Sequence, residues 1–512
     1  MDTATIEKAQ PGMGDEALSR LLFQTGGVRV LAVGPPACLR ILYFRAMEKE
    51  ALCRLRLCPV SRLEYTLGSY AHRVRGMIEE LLMTQGTKGV VLYVSCPDLL
   101  IQTDFEALIS EADNPYNVPV AVFRRGPMEK RKKKSVERLE EIIQGFGHAQ
   151  ENHKEGKEER LCPLPPLAAD YSGALTAFEG DHSICACLVT GAGCASCPRS
   201  IDDFREQPFW YSRMNDLQVT LGSAESIEKG IDAAMQEDKR QSAFIVGTPL
   251  TAMTGLDDSS FPTLNEKVFI QTNGFQDALE GTKQALSIAS RQQMRRCELT
   301  QKQINLVGYT PFVFGNQRQF DALVCELARL GYAVCWLGGG KRAELRDAPK
   351  ARVNWVISAA GLELAKWMEK QYGTPWFYQM PVSVSGVRAA CQALESITGD
   401  AVFQTQDTAP LKQELKNAVM IGDHELNRQI SVVLKNEFNV ECTIAEKLPL
   451  ELGLAGEMDY VVADPLYFQY LPENAAVQVP LPFPALSGNR YVKRDYCIIG
   501  REGRQYLKQF FK

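Results

Sequence analysis

Four thiols fall within 13 residues, as Cys185-Ala186-Cys187 and Cys194-Ala195-Ser196-Cys197. Thiolates at two- and three-residue spacings can reach one soft metal centre, which is why such pairs recur in zinc and iron–sulfur sites. Two more cysteines hold marked positions upstream: Cys38 closes Gly34-Pro35-Pro36-Ala37-Cys38, and Cys96 lies in Ser95-Cys96-Pro97-Asp98. Cys185 and Cys187 sit in an apolar, strand-like run over 184–189, where burial without ligation is the simpler account. Cys194, on the glycine loop after that run, is the better ligand candidate, and Cys197 is next. Cys53 and Cys58 have Arg54 and Arg56 between them, cations that favour a thiolate, but nothing else marks them. A closed zinc site built from local thiolates alone is the rival to a shared centre.

The loops recur in order. Gly34–Cys38 is followed by Thr66-Leu67-Gly68-Ser69 and Ser95–Asp98; Thr190-Gly191-Ala192-Gly193-Cys194 is followed by Thr220-Leu221-Gly222-Ser223 and Gly247-Thr248-Pro249-Leu250. The steps from cysteine to tetrapeptide are 28 and 26 residues, and the next steps are 30 and 29. Two copies of one cysteine-bearing unit can face each other and share a metal site.

The elements that must carry these loops alternate. Expected in the first copy are strand 28–33, helix 70–83, strand 89–95, helix 98–111 and strand 118–123. In the second they are strands 184–189, 243–247 and 268–270. A third unit opens with strand 304–308, helix 320–330 and strand 332–336; a fourth has strand 418–422, a helix starting near His424 and strand 460–463. Apolar, β-branched strands alternating with helices mean parallel sheets covered on both faces. The fold class is therefore α/β, with several Rossmann-like, doubly wound domains. In such sheets ligands gather at the carboxyl ends of strands, the edge on which Cys38 and Cys96 both fall.

A chain of 512 residues is too long for one core. The expected organisation is 1–128 (copy one, a partial domain), 129–166 (linker), 167–300 (copy two), 301–405 and 406–512. Residues 129–160 carry 17 charges in 32 positions, which reads as a solvated linker or exposed helix. A net charge of −5 argues against nucleic acid as a partner. No run of 18 apolar residues and no secretory signal is seen, so a cytoplasmic protein that does not span a membrane is expected, its 15 cysteines mostly reduced. Cys325 and Cys335 read as buried packing residues. No GxGxxG, GxxxxGK[ST] or GxSxG motif is present, so nucleotide binding and hydrolase chemistry have no motif behind them.

Taken together, these motifs resemble the component 1 proteins of nitrogenase and their relatives, dark-operative protochlorophyllide reductase and the reductase of nickel-tetrapyrrole coenzyme synthesis. Their first domain has a Gly-Pro-x-Gly-Cys loop followed by a strand ending in Cys-Pro, similar to Gly34–Cys38 and Ser95-Cys96-Pro97-Asp98. Copy two resembles the same domain from Ser172-Gly173-Ala174 through Cys194, Gly247-Thr248-Pro249 and Thr254-Gly255-Leu256-Asp257-Asp258. Later matches are Thr272-Asn273-Gly274-Phe275, Asn354 before Tyr372-Gly373-Thr374-Pro375-Trp376, and Pro484-Ala485-Leu486-Ser487-Gly488-Asn489. The resemblance covers 167–512 as a whole subunit pattern and 20–125 as a first domain.

It implies an iron–sulfur cluster between two first domains, reduced by an ATP-dependent iron protein and passing electrons to a small-molecule substrate. Carried onto this chain, the metal ligands would be Cys38, Cys96 and Cys194, with Cys197, Cys58, Cys187 or a carboxylate as the fourth. The family's earlier first-domain cysteine falls near Met13 and Ala169, and Pro249 replaces the strand-end cysteine of copy two. Fewer ligands than an eight-iron cluster uses leaves a single [4Fe–4S] cluster as the expectation. Ser358 stands where nitrogenase has its cofactor cysteine, and 483–501 contains no histidine, which argues against an iron–molybdenum cofactor. Thr248, Thr272, Asn273, Ser358 and Ser487 are the expected cleft residues, with turn and cap roles as their plain alternative. His424 reads most simply as a helix-capping residue. A homodimer is expected. The rival functions are a non-catalytic scaffold for metallocluster assembly and a zinc-stapled small-molecule binder.

Overall fold

The computed structural model describes residues 5–9, 16–124, 133–147, 164–192, 194, 197, 208–221, 224–261, 267–296, 302–342, 344–400, 414–445, 458–471, 476–493 and 496–511. They form two compact units: Met1–Ser172 with Ser183–Asp277, and Gly173–His182 with Ala278–Lys512.

The first unit holds two sheets. Strand β1 (Thr5–Lys8) comes first, followed by β2 (Val28–Gly34), β3 (Leu55–Pro59), β4 (Gly89–Val94) and β5 (Val120–Arg124). Next come β6 (Ile184–Leu188), β7 (Trp210–Arg213), β8 (Ser242–Val246) and β9 (Lys267–Ile270). The sheet orders are β3-β2-β4-β5 and β1-β7-β6-β8-β9, parallel throughout except that β1 pairs antiparallel with β7. The second unit has β10 (Gln303–Val307), β11 (Ala333–Leu337), β12 (Val353–Val356) and β13 (Trp376–Tyr378), ordered β11-β10-β12-β13. It also has β14 (Lys416–Ile421), β15 (Val440–Ile444), β16 (Tyr460–Ala463) and β17 (Val477–Pro480), ordered β15-β14-β16-β17. Leaving β1 aside, all four sheets share one order: the first strand lies between the second and the third. That order opens a topological switch point at the carboxyl ends of the first and third strands, where open α/β sheets bind ligands.

Every residue of β2 and β4 is buried, as a parallel sheet covered on both faces demands. Arg29 is tolerated inside β2 because its guanidinium donates to Thr87 Oγ1 at 2.8 Å and to the Gln85 carbonyl at 2.9 Å. The repeated Thr-Leu-Gly-Ser has a local cause in copy one. Thr66 and Leu67 end the helix Arg62–Leu67, and Gly68 takes the left-handed conformation (φ 66°) that stops it. Thr220 and Leu221 likewise end the helix Asp216–Leu221.

The structure departs from the sequence expectations at several points. The helix expected over 98–111 is two, Cys96–Leu100 and Phe105–Glu111, because Asp104 starts the second by accepting from Ala107 N at 2.9 Å. Cys335 is buried, but Cys325 is exposed: Leu323 and Leu327 take the buried face of that helix. The cap of the helix His424–Phe438 is Asp423, which accepts from Leu426 N at 2.7 Å, rather than His424. Within 129–166, a helix spans Ser135–Phe146; positions 129–132 and 148–163 lie outside the described residues, as does Met13. No helix among the described residues is long and apolar enough to cross a membrane.

Candidate metal centre

The register of β2 against β4 pairs Val33 with Val94, so Gly34 and Ser95 leave the sheet side by side. A Cβ on Gly34 would lie 2.6 Å from Ser95 Oγ, which is why this switch point needs glycine. The chain turns at Pro35 into the helix Pro36–Glu48, and Cys38 N donates to the Pro35 carbonyl at 2.9 Å, placing Cys38 in that helix's first turn. On the neighbouring strand, Cys96 opens the helix Cys96–Leu100.

Asp98 fixes that second loop. Its carboxylate accepts from Ser95 N at 3.0 Å, Ser95 Oγ at 2.6 Å, and the hydroxyls of Tyr65 at 3.2 Å and Tyr70 at 3.1 Å. Burial pushes Asp98 up to about 6, against the opposing pull of these four donors.

Copy two repeats the layout with different chemistry. Thr248 caps the helix Pro249–Thr254, and Thr251 Oγ1 accepts from Thr248 N at 2.8 Å, where copy one uses the Asp98 carboxylate. Pro249 fills the position of Cys96. Cys194 N donates to the Gly191 carbonyl at 3.1 Å, in the loop after β6.

The two switch points face each other within the first unit. The helices Cys96–Leu100 and Pro249–Thr254 pack together. Gly274, at φ 73°, approaches both copies: its missing Cβ would stand 2.5 Å from Pro249 Cγ and 3.3 Å from Ala37 Cβ. Asp170 anchors this loop, accepting from Asn273 N at 2.9 Å, Gly274 N at 2.7 Å and Tyr171 N at 2.8 Å.

Cys38, Cys194 and Cys197 come together here. Cys197 is buried within hydrogen-bonding reach of both Cys38 and Cys194, and Cys38 feels the charges of Cys194, Cys96 and Asp98. The Cys197 contact lowers the Cys38 pKa, but burial and these neighbours raise it overall. The Cys197 thiol is lowered by its contact with Cys194, and the Cys38 contact and burial then carry it well above the usual range. Thiols so crowded hold their protons until a cation offsets the mutual repulsion of the thiolates, so the donor set suits a cationic metal–sulfur centre. Among the described residues, no three His, Cys, Asp or Glu side chains converge as ligands of a single metal ion. A polynuclear cluster has no such need, since each thiolate meets a different iron.

Other cysteines lie elsewhere. Cys187, raised well above its usual range by burial, and Cys185 belong to the apolar core beneath β6 and β8. Cys58 accepts from Arg73 Nε at 3.4 Å; burial raises its pKa and Arg73 opposes the rise.

The expected cleft residues make internal hydrogen bonds. In the first unit, Thr248 Oγ1 donates to the Val189 carbonyl at 2.7 Å, Thr272 Oγ1 donates to the Gly247 carbonyl at 2.9 Å, and Asn273 Oδ1 accepts from Phe275 N at 2.9 Å. In the second unit, Ser358 Oγ donates to the Gly308 carbonyl and Ser487 Oγ donates to Asp464 at 2.7 Å. Four of the five are fully buried and Asn273 is half-buried. Sequence reasoning missed Asp170, Tyr171, Tyr65 and Tyr70, although Asp170-Tyr171 directly precedes the Ser172-Gly173-Ala174 used to register copy two.

Asp170 yields a pH prediction. Burial lifts it to about 7 despite three N–H donors that favour the anion. A carboxyl whose folded pKa exceeds its unfolded value of 3.8 contributes stability that is fully present below 3.8 and is lost as pH rises to about 7. The difference in thermal midpoint between the wild type and Asp170→Asn should therefore shrink from pH 4 to pH 7. A difference that widened with pH would mean that the N–H donors outweigh burial.

The profile of the Nitrogenase component 1 type Oxidoreductase family matches residues 169–427, 259 of the 512 positions. The nitrogenase molybdenum-iron protein alpha chain of Azospirillum brasilense is 24% identical over 113 residues, 22% of this chain and 23% of that relative. The match thus spans about a quarter of the length of that curated relative. A solved structure of nitrogenase Cp1 at pH 6.5 superposes with a TM-score of 0.52 at 14% identity, covering 69% of this chain and 94% of that one, which shows a common fold. The profile spans copy two with its cysteine loop, continues through the sheet β11-β10-β12-β13 and ends just after β14. The chain belongs to the nitrogenase component 1 type oxidoreductase family.

Proposed function

We propose that this chain is the reductase component of a nitrogenase-like system, holding one [4Fe–4S] cluster on Cys38, Cys96, Cys194 and Cys197. The observation that carries this reading is the meeting of thiols from both copies at facing switch points. The bound cluster would supply one-electron transfer. The chain's own contribution is burial of Cys197, fixing of the Cys96 loop by Asp98, and fixing of the Gly274 loop by Asp170. The proposed electron donor is an ATP-dependent iron protein, the proposed acceptor a small molecule, and the setting a cytoplasmic homodimer.

Thr248, Thr272, Asn273, Ser358 and Ser487 remain the proposed polar lining for that substrate. Each would have to exchange an internal hydrogen bond for one to the ligand, at about 1 kcal/mol apiece. That cost favours a second reading, in which the chain is a non-catalytic scaffold that assembles a cluster and hands it on.

Anaerobic reconstitution separates the two. A reductase component should be reduced by an iron protein only while ATP is hydrolysed, and should keep its iron through repeated turnover. Rapid transfer of the iron to an apo-ferredoxin, with no ATP-dependent reduction, would overturn the reductase reading in favour of the scaffold.

A further inference from the structure

Phe275 belongs to copy two but packs into the core of copy one. Among the described residues, the apolar cluster around β2 and β4 draws every other member from between Leu31 and Val122. The half-buried Phe275 ring meets the Tyr65 ring edge-on, with centroids 6.0 Å apart and planes at 71°. Tyr70 meets Tyr65 as well, at 5.2 Å and 64°, so the Tyr65 ring is braced by one ring from each copy. The Tyr65 hydroxyl then reaches the brace of the Cys96 loop. It donates to Asp98 Oδ2 at 3.2 Å and lies 3.3 Å from Ser95 Oγ, while Asp98 also takes the Ser95 N–H and hydroxyl.

The backbone behind Phe275 has little freedom. The N–H groups of Asn273 and Gly274 donate to Asp170, and Phe275 N donates to Asn273 Oδ1 at 2.9 Å. Three successive peptide groups are thus tied before the ring leaves the loop. We propose that Phe275 is a positioning residue: it seats the Tyr65 ring so that the tyrosine hydroxyl holds Asp98 and Ser95, which ties the geometry of the Cys96 loop to copy two. This rests on the iron–sulfur reading above. Truncating Phe275 opens a void on one side of Tyr65, and a ring that can tilt into it carries its hydroxyl away from Asp98.

The test compares Phe275→Ala, Phe275→Tyr and Phe146→Ala. Phe146 is a buried ring packed against Gly89 at the opposite end of β4, so its loss should lower the thermal midpoint without reaching the Cys96 loop. Phe275→Ala should release iron to bathophenanthroline disulfonate severalfold faster than the wild type. Phe275→Tyr, which keeps the ring, and Phe146→Ala should release it at the wild-type rate. A wild-type rate in Phe275→Ala, or equally fast release from Phe146→Ala, would overturn the proposal. A second measurement uses the metal-free protein. There Tyr65→Phe, which removes only the hydroxyl, should lower the thermal midpoint less in the Phe275→Ala background than in the wild type, because the hydroxyl is already unseated. An equal drop in both backgrounds would also overturn it. If the wild type holds no iron, the cluster reading falls, and the metal-free comparison alone decides whether Phe275 seats Tyr65.

Discussion

Cys194→Ala is expected to lose essentially all of the iron that the wild type retains after anaerobic purification. Cys194 sits on the copy-two loop, in contact with Cys197, which in turn touches Cys38 on the copy-one loop. A cluster held by thiolates from both copies has no complete ligand set on either side, so removing one bridging partner leaves the rest too weak to retain it. Cys38→Ala and Cys96→Ala should behave alike. Cys325→Ala is the control: that residue is exposed on a helix of the second unit and should keep full iron content. Iron and acid-labile sulfide assays read the result. Full iron in Cys194→Ala would mean that Cys194 is not a ligand and that the proposed four-cysteine set is wrong.

Gly34→Ala should disable the same centre without touching a thiol. The added Cβ would meet Ser95 Oγ at 2.6 Å and Ser95 Cβ at 2.7 Å, and Ser95 cannot easily retreat because Asp98 holds both its N–H and its hydroxyl. Overpacking at such a site costs about 1–3 kcal/mol. Relief by shifting the Ser95-Cys96 loop would move Cys96 relative to Cys38. A lower thermal midpoint together with iron loss is the expected outcome. Gly76→Ala, in the interior of the helix Ala71–Leu82, meets nothing within 4 Å and should instead be neutral or stabilising by up to about 1 kcal/mol. Equal effects from the two substitutions would mean that the Gly34 contact does not constrain the loop.

Much of this arrangement was legible in the residues. The central strands β2, β4, β8, β10, β14 and β16 are short apolar runs that end in or run into glycine or a capping residue, and β6 is an apolar run too, a pattern that parallel sheets impose on their middles. The flanking strands were harder. β3 carries Arg56 and β15 alternates exposed with buried residues, because edge strands are covered on fewer sides. The thiols of the centre stood out because strand-end loops announce themselves through glycine and proline. Asp170 and Tyr171 gave no such signal. The partners of Asp170 lie 103 and 104 residues away, at Asn273 and Gly274, so its role exists only once the fold has closed. Cys325 misled because helical spacing alone does not say which side of the stripe a small apolar residue takes.

The duplication also looks less symmetric than its spacing suggests. The two copies share a strand order, a switch point and a short helix ending in Thr-Leu, yet one braces its strand-end loop with a buried carboxylate and the other with a threonine hydroxyl. Only copy one retains the strand-end cysteine; copy two supplies Cys194 and Cys197 from the other loop. The proposed single centre would therefore draw its ligands from unequal halves.

Metal analysis of the anaerobically purified protein beside Cys38→Ala and Cys194→Ala tests the shared centre most directly. The expected result is about four irons and four sulfides per wild-type chain, with nearly all of both lost in either variant. Stoichiometric zinc without iron, or half of the iron surviving each substitution, would contradict a single cluster held between the two copies.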